Sequence, residues 1–260
     1  MFKEIKEIYS YRGMLYNLVK KDLRTRYKGS ALGFLWTFLN PLLMLVVYTL
    51  VFSTIMRVNV ENYPMFLFVA LMPWIFFANS VQISSQTILG NSSLVKKIYF
   101  PREILPLALV IGGLVNYLLT FIVIILALNF FGFNIQWLKV LLNIPLILII
   151  QSVLVYGFCL LFSSLNVYFR DLEHILGIVI MAWVYITPVL YPVELIPENY
   201  TFVYKLNPMS SIIIAYRDVL YYGKNPNYKD LFIILIVSLI IYQIGKAVFN
   251  KLKKGFAEEI

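Results

Sequence analysis

"LVKKDLRTRYKGSALGFLWTFLNPLLML", residues Leu18–Leu45, carries Lys20, Lys21, Arg24, Arg26 and Lys28 in its first half and no charge in its second. Leu15, Val19, Leu23 and Tyr27 recur every fourth residue, and Lys20, Arg24 and Lys28 recur likewise on a different face. That is the pattern of an amphipathic helix with a basic stripe. Such a helix lies in a membrane plane, apolar face down, with its cations near anionic headgroups. Gly29 and Gly33 then loosen the backbone, and the uncharged half turns into the bilayer. The stretch thus points to a helical membrane protein with a surface helix joined directly to its first span.

The rest of the chain agrees. It is 61% hydrophobic and only 13% charged, where a soluble domain is about half apolar and about a quarter charged. The solvent for most of it is therefore lipid. Six apolar segments reach roughly spanning length: Leu32–Met56, Pro64–Ile88, Ile104–Phe131, Leu138–Leu165, Ile175–Tyr191 and Leu231–Phe249, the fifth being the shortest. Their runs are continuous and not alternating in period two, so they read as helices and not as barrel strands. The expected fold is an all-α integral membrane domain of six spans over 32–260, preceded by the interface helix within 1–31. No internal repeat, low-complexity tract or signal-peptide pattern is present.

Lys and Arg set the orientation. With six spans both ends share a side. That side receives the cations from Lys3 to Lys28, then Lys96, Lys97, Arg102 and Arg170, and finally Lys246, Lys251, Lys253 and Lys254. The other side receives Arg57, Lys139, Lys205, Arg217, Lys224 and Lys229, a ratio of sixteen to six that makes both termini cytoplasmic. The net charge of +9 favours anionic partners. No nucleic-acid-binding module accompanies it, so membrane lipids are the partners read from this charge.

Two connections carry more than a turn. In "ILGNSSLVKKIYFPREILP", Gly90 ends one helix, Asn91, Ser92 or Ser93 can cap a short one over Ser93–Tyr99, and Pro101 suits the first turn of the next. The short helix mixes Leu94, Val95, Ile98, Tyr99 and Phe100 with Lys96 and Lys97. Exposed apolar groups beside cations suit either docking of a protein or packing on the bilayer. On the opposite side, "PMSSIIIAYRDVLYYG" reads as an amphipathic helix over Met209–Tyr222, capped by Ser210 or Ser211 and stopped by Gly223. "PVELIPENYTFVYKL" can form a second short helix. Both are too short to span, so they read as re-entrant or interfacial helices.

The chemistry is chiefly that of neutral groups. There is no phosphate-cradling G-x-x-x-x-G-K-[ST] motif, no nucleophilic serine motif and no metal-ligand cluster. His174 stands alone beside Asp171 and Glu173, with Asp171 suited to start a helix. Cys159, the single cysteine, sits in an apolar run and reads as a small buried residue. The spans lack a central ionisable group, which argues against ion-driven transport. A membrane-embedded glycosyl- or prenyl-transferase would need a stronger acidic motif than Asp171 with Glu173. Asn79, Gln82 and Gln86 share a face of the second span. Such amides hydrogen-bond a polyhydroxylated solute, and the aromatics Trp36, Phe38, Tyr48, Phe52, Trp183 and Tyr185 can stack on sugar rings, making these nine residues the candidate pathway lining. Helix-to-helix bonding explains the amides equally, and an interfacial belt explains Trp36.

These residues resemble the ABC-2 type permeases that export polysaccharides. "KKDLRTRYKGSALGFLWTFLNPLL" is similar to that family's N-terminal signature, "LVKKIYFPREILPL" to its segment after span two, and "TPVLYP" and "LNPMSSIIIAYRDVLYYG" to its fifth span and outer helices. The nearest likeness is to the inner-membrane permease of lipid-linked O-antigen exporters. Capsule, teichoic-acid and lipid or small-molecule exporters are the alternatives. The resemblance implies a homodimer, a separate ATP-binding subunit that holds Mg-ATP, a lipid-linked polysaccharide as substrate, and no cofactor in this chain. It implies that Ser93, Leu94, Lys96, Lys97 and Tyr99 belong to a coupling helix seated in the ATPase, touched also by Lys20, Arg24 and Lys28. It further implies that the outer helices bearing Leu195, Tyr200, Ile213 and Tyr216 gate the exit.

Overall fold

The computed structural model describes residues 2–25, 29, 32–55, 60–200, 204 and 206–260, and among these there is no β-strand. In chain order the helices are α1 (Phe2–Ser10), α2 (Arg12–Thr25), α3 (Trp36–Thr49), α4 (Tyr63–Ser84), α5 (Ser92–Lys97) and α6 (Ile104–Phe130). They continue as α7 (Trp137–Tyr168), α8 (Leu172–Ile186), α9 (Pro208–Leu220), α10 (Tyr228–Leu252) and α11 (Phe256–Glu259). Among the described residues four helices are long and apolar enough to cross a membrane: α4, α6, α7 and the run Tyr228–Glu259 formed by α10, α11 and the 3-10 turn between them. The expected third span is α6 to within one residue, and the expected fourth lies inside α7, which begins one residue earlier and runs three residues further. The first and fifth are apolar but shorter. α3 has 14 residues and passes into a π-helical turn at Leu50–Ile55, while α8 has 15.

α4 is the centre of the bundle. From Met65 through Pro73 each of its residues is buried, as expected of a helix that is apolar all round. α7 bridges it to α9 through one amide. Gln151 donates from Nε2 to the Pro73 carbonyl at 2.8 Å and accepts from the Tyr216 hydroxyl at 2.9 Å, all within the buried interior. A satisfied amide in an apolar setting fixes helix register more than it adds stability.

α7 and α10 cross backbone against backbone. A methyl group at Gly157 would stand 2.7 Å from the Tyr242 nitrogen and 2.8 Å from its Cα, and one at Gly245 would fall onto the Gly157 carbonyl oxygen. Glycines at such a crossing let membrane helices gain close dispersion contact, the main attraction available where lipid is as apolar as leucine. α2 meets α6 at another glycine. A methyl at Gly112 would stand 2.7 Å from Asp22 Oδ2.

A second, smaller core closes the end of the bundle that carries α5 and both termini, the basic end. It joins Ile88, Val95, Phe100, Leu105, Leu160, Val167, Phe249 and Phe256, with Tyr11, Met14 and Leu18 packed against it. The salt bridge Lys253–Glu103 and the Arg102 donation to the Lys253 carbonyl add polar ties there. At the far end α9 starts differently from the expected serine cap. Asn207 is the cap, its Oδ1 accepting from the Met209 nitrogen at 3.1 Å, with Pro208 at the first helical position. Ser210 is the third residue of the helix and is fully buried.

Candidate functional site

At the basic end the chain makes a knob. A 3-10 turn at Leu89–Asn91 leads into α5, and the backbone is extended again at Ile98. Asn91 stands at the cap position but sends its side chain back to the Thr87 carbonyl at 2.8 Å. Val95 and Phe100 point inward and are buried, whereas Ser93, Lys96, Lys97 and Ile98 are exposed and Tyr99 is 85% exposed. Leu94 is half-buried. The knob therefore has two plugs in the small core and a solvent face made by two cations, Ile98 and the Tyr99 ring. Phe256 of α11 and Phe249 of α10 sit in the same core, so the knob is packed directly against the end of the last long helix.

The surface helix is fastened to this knob. Tyr11 donates from Oη to the Tyr99 carbonyl at 3.3 Å, and Lys21 Nζ reaches Asn91 Oδ1 at 3.5 Å. Lys20 and Arg24 are exposed on α2, while Lys28 lies outside the described residues.

The far end holds a buried cation. Arg217 of α9 is only 2% exposed. Its guanidinium donates to the carbonyls of Pro188, Val189 (2.6 Å), Tyr191 (3.4 Å) and Phe66 (3.3 Å), and lies 3.5 Å from the Phe66 ring centroid. Tyr63 of α4 donates to the Leu190 carbonyl at 2.7 Å. The non-helical turn after α8 would expose unpaired carbonyls in an apolar setting, and these two side chains satisfy them. Asn207 locks the same turn from the other side by donating to Thr187 Oγ1 at 2.8 Å and accepting from Trp183 Nε1 at 3.1 Å. Next to Arg217, burial raises the Asp218 carboxyl above the usual carboxylate range, and Lys224 at 3.1 Å opposes the shift.

The candidate lining residues fall into three groups. Gln82 Nε2 donates to the Glu173 carbonyl at 3.1 Å and Gln86 Nε2 meets the Glu173 carboxylate, so this pair ties α4 to the start of α8. Asn79 is exposed and borders a small crevice with Pro41, Asn116 and Thr120. Trp36 and Phe38 are half-buried at the start of α3, and Tyr48 and Phe52 form a ring series with Tyr63 at 6.4 and 6.2 Å. Trp183 packs edge-on to Phe77 and Phe158 at 5.1 and 5.8 Å, inward from the α8 surface, while Tyr185 is exposed.

Among the outer candidates Leu195 and Tyr200 are exposed, on 3-10 turns at Val193–Leu195 and Glu198–Tyr200. Ile213 and Tyr216 are fully buried against the core. Sequence reasoning counted Arg217 as an outer-side cation and missed its burial. The signal was present, since Arg217 shares a helical face with Ile213 and Leu220.

The profile of the ABC-2 type transporter family matches residues 14–221. The chain is 36% identical over its full length to the full length of the O-antigen export system permease protein RfbA of Myxococcus xanthus. It is 38% identical, over 94% of both chains, to the protein of the same name from Klebsiella pneumoniae. It is 23% identical to the polysialic acid transport protein KpsM of Escherichia coli, over 90% of this chain and 91% of that one.

Proposed function

Because the chain belongs to the ABC-2 type transporter family, we propose that it is the permease subunit of an ATP-driven exporter of a lipid-linked polysaccharide of the O-antigen type. The observation that carries this reading is the end-to-end match at 36% identity with a permease named for O-antigen export. The weaker 23% match, to a protein named for polysialic acid transport, supports another exported polysaccharide, such as a capsule, as the second reading. The chain itself performs no covalent chemistry in this reading. Mg-ATP belongs to the partner subunit.

In this proposal α3 and α8 complete a six-span domain over 32–260. With its π-helical extension α3 reaches about 30 Å of rise, and α8 gains length from the turn that Arg217 and Tyr63 hold. The even count, with the cations gathered at the knob end, supports cytoplasmic termini in an inner membrane. α3 and α8 also leave wide apolar faces uncovered, including Leu43, Val46 and Val47 on one and Ile178, Met181 and Ile186 on the other. A second copy and the glycan pathway between the copies account for those faces. Trp36, Phe38, Tyr48, Phe52, Asn79 and Tyr185 are the lining candidates nearest to them. Ser93, Leu94, Lys96, Lys97 and Tyr99 form the coupling knob, with Lys20 and Arg24 beside it. The turns bearing Leu195 and Tyr200 border the exit, backed by Ile213 and Tyr216.

Co-expression with the cognate ATP-binding subunit tests the assignment. A complex with two copies of each chain, turning over ATP, is the expected result. Two folded proteins that do not associate would remove the motor and the reading with it.

A further inference from the structure

α2 does not use its whole apolar surface on the protein. Tyr11, Met14 and Leu18 pack into the small core, and Asp22 lies against Gly112 of α6. The stripe Leu15, Val19 and Leu23, one face further round, faces a second stripe on α6 made by Ile111, Val115 and Leu119. Between them is a crevice of about 1040 Å³, at or above the upper end of the roughly 300–1,000 Å³ of small-molecule sites. Both stripes repeat every fourth residue, so the crevice runs along the helices for about 12 Å. Lys20 and Arg24, one turn apart and exposed, stand at its rim, with Arg12 two turns earlier. Gly33, at the start of the segment leading into α3, also lines it.

We propose that this crevice is a binding site for one anionic glycerophospholipid of the cytoplasmic leaflet, an acyl chain between the two stripes and the headgroup phosphate at Lys20 and Arg24. Charge complementarity commits the occupant. Basic pockets between a surface helix and a spanning helix favour anionic headgroups over zwitterionic ones, and the apolar stripes favour a hydrocarbon chain. Among the described lining residues there is no amide and no Ser or Thr hydroxyl, and the one aromatic ring, Tyr16, has Lys20 Nζ 5.7 Å from its centroid, a lining poor in the neutral groups that a glycan would need. The bound lipid touches α2, α6 and the approach to α3 together, and so sets the seat of the surface helix that abuts the knob. The leaflet rests on the orientation proposed above. The binding itself does not depend on transport.

The test is lipid retention by the full-length chain, purified alone in mild detergent, stripped of lipid and titrated with phosphatidylglycerol or phosphatidylcholine under native mass spectrometry. One phosphatidylglycerol per chain, held at least tenfold more tightly than phosphatidylcholine, is the expected result on the parent protein. The pair Lys20→Ala with Arg24→Ala should weaken retention about 30-fold, and Val115→Trp, which narrows the crevice at the middle of the α6 stripe, should weaken it at least tenfold. Melting curves in the same detergent identify any variant that fails to fold, and the parent's headgroup preference needs no variant. Equal retention of the two lipids, or an unchanged phosphatidylglycerol affinity in folded variants, overturns the proposal. So does recovery of a polyprenyl diphosphate in place of a phospholipid from the unstripped protein.

Discussion

The crossing of α7 and α10 gives the sharpest test of the packing. Gly157→Ala places a methyl 2.7 Å from the Tyr242 nitrogen and 2.8 Å from its Cα, both backbone atoms in the middle of a long helix. An ordinary contact for such a methyl begins at about 3.4 Å, so the helices must part by about 0.7 Å, and neither backbone can rotate aside as a side chain can. Overpacking of this kind costs ~1–3 kcal/mol. For a chain of this size that lowers the melting temperature by about 3–10 °C. Cys159 supplies the assay, because it is the single cysteine and is fully buried. A thiol-reactive dye therefore stays dark until the bundle opens. Gly13→Ala is the matched control, since Gly13 lies within α2 and a methyl there meets nothing within 4 Å. It should be neutral or slightly stabilising through helix propensity. If Gly157→Ala melts within 1 °C of the parent, the reasoning from backbone contact is wrong.

The other predictions concern the ends of the bundle. Gly112→Ala should be tolerated because Asp22 can swing its carboxylate, whereas Gly112→Leu should lift α2 off α6, read as faster labelling of a cysteine placed at the half-buried Leu18. Arg217→Gln strands carbonyls in the turn after α8, at about 1–3 kcal/mol for each group left unpaired. Its melting temperature should fall by at least ~5 °C. Tyr99→Ala together with Lys96→Glu and Lys97→Glu should leave the permease as stable as the parent, since these side chains are exposed, yet weaken assembly with the ATPase at least tenfold in a pull-down titration. Val95→Asp should instead destabilise the permease itself by putting a charge in the small core, which the same thiol assay would report.

The sequence was most legible where a property depends on composition along one helix. The apolar runs marked α6 to one residue and α7 to within three, the Lys and Arg distribution singled out the basic end, and "SSLVKKIYF" marked α5, which ends two residues sooner than expected because the backbone is extended at Ile98. Legibility failed where contacts come from residues far apart. Nothing local to Gly157 or Gly245 says that they meet, because the partner lies 88 positions away. The helical face that Arg217 shares with Ile213 and Leu220 hints at burial, but the carbonyls that satisfy its guanidinium come from the turn at Pro188–Tyr191, 26 to 29 residues away. Gln82 and Gln86 have the spacing of a pathway face but meet Glu173 across the α4–α8 contact, a partner supplied by tertiary structure. The cap of α9 was misplaced for a local reason. Asn207–Pro208 is a stronger start signal than the serines that follow, since Asn accepts from the first turn and Pro has no N–H to leave unpaired.

The central claim is that this chain exports a lipid-linked glycan with a partner's ATP hydrolysis. The most direct measurement is made in cells lacking the chain, comparing surface polysaccharide with lipid-linked glycan on the cytoplasmic side. The account predicts loss from the surface and accumulation inside, both reversed by restoring the chain with its active ATPase and not with a hydrolysis-deficient one. Unchanged surface polysaccharide without the chain, or full rescue by the hydrolysis-deficient partner, would contradict it.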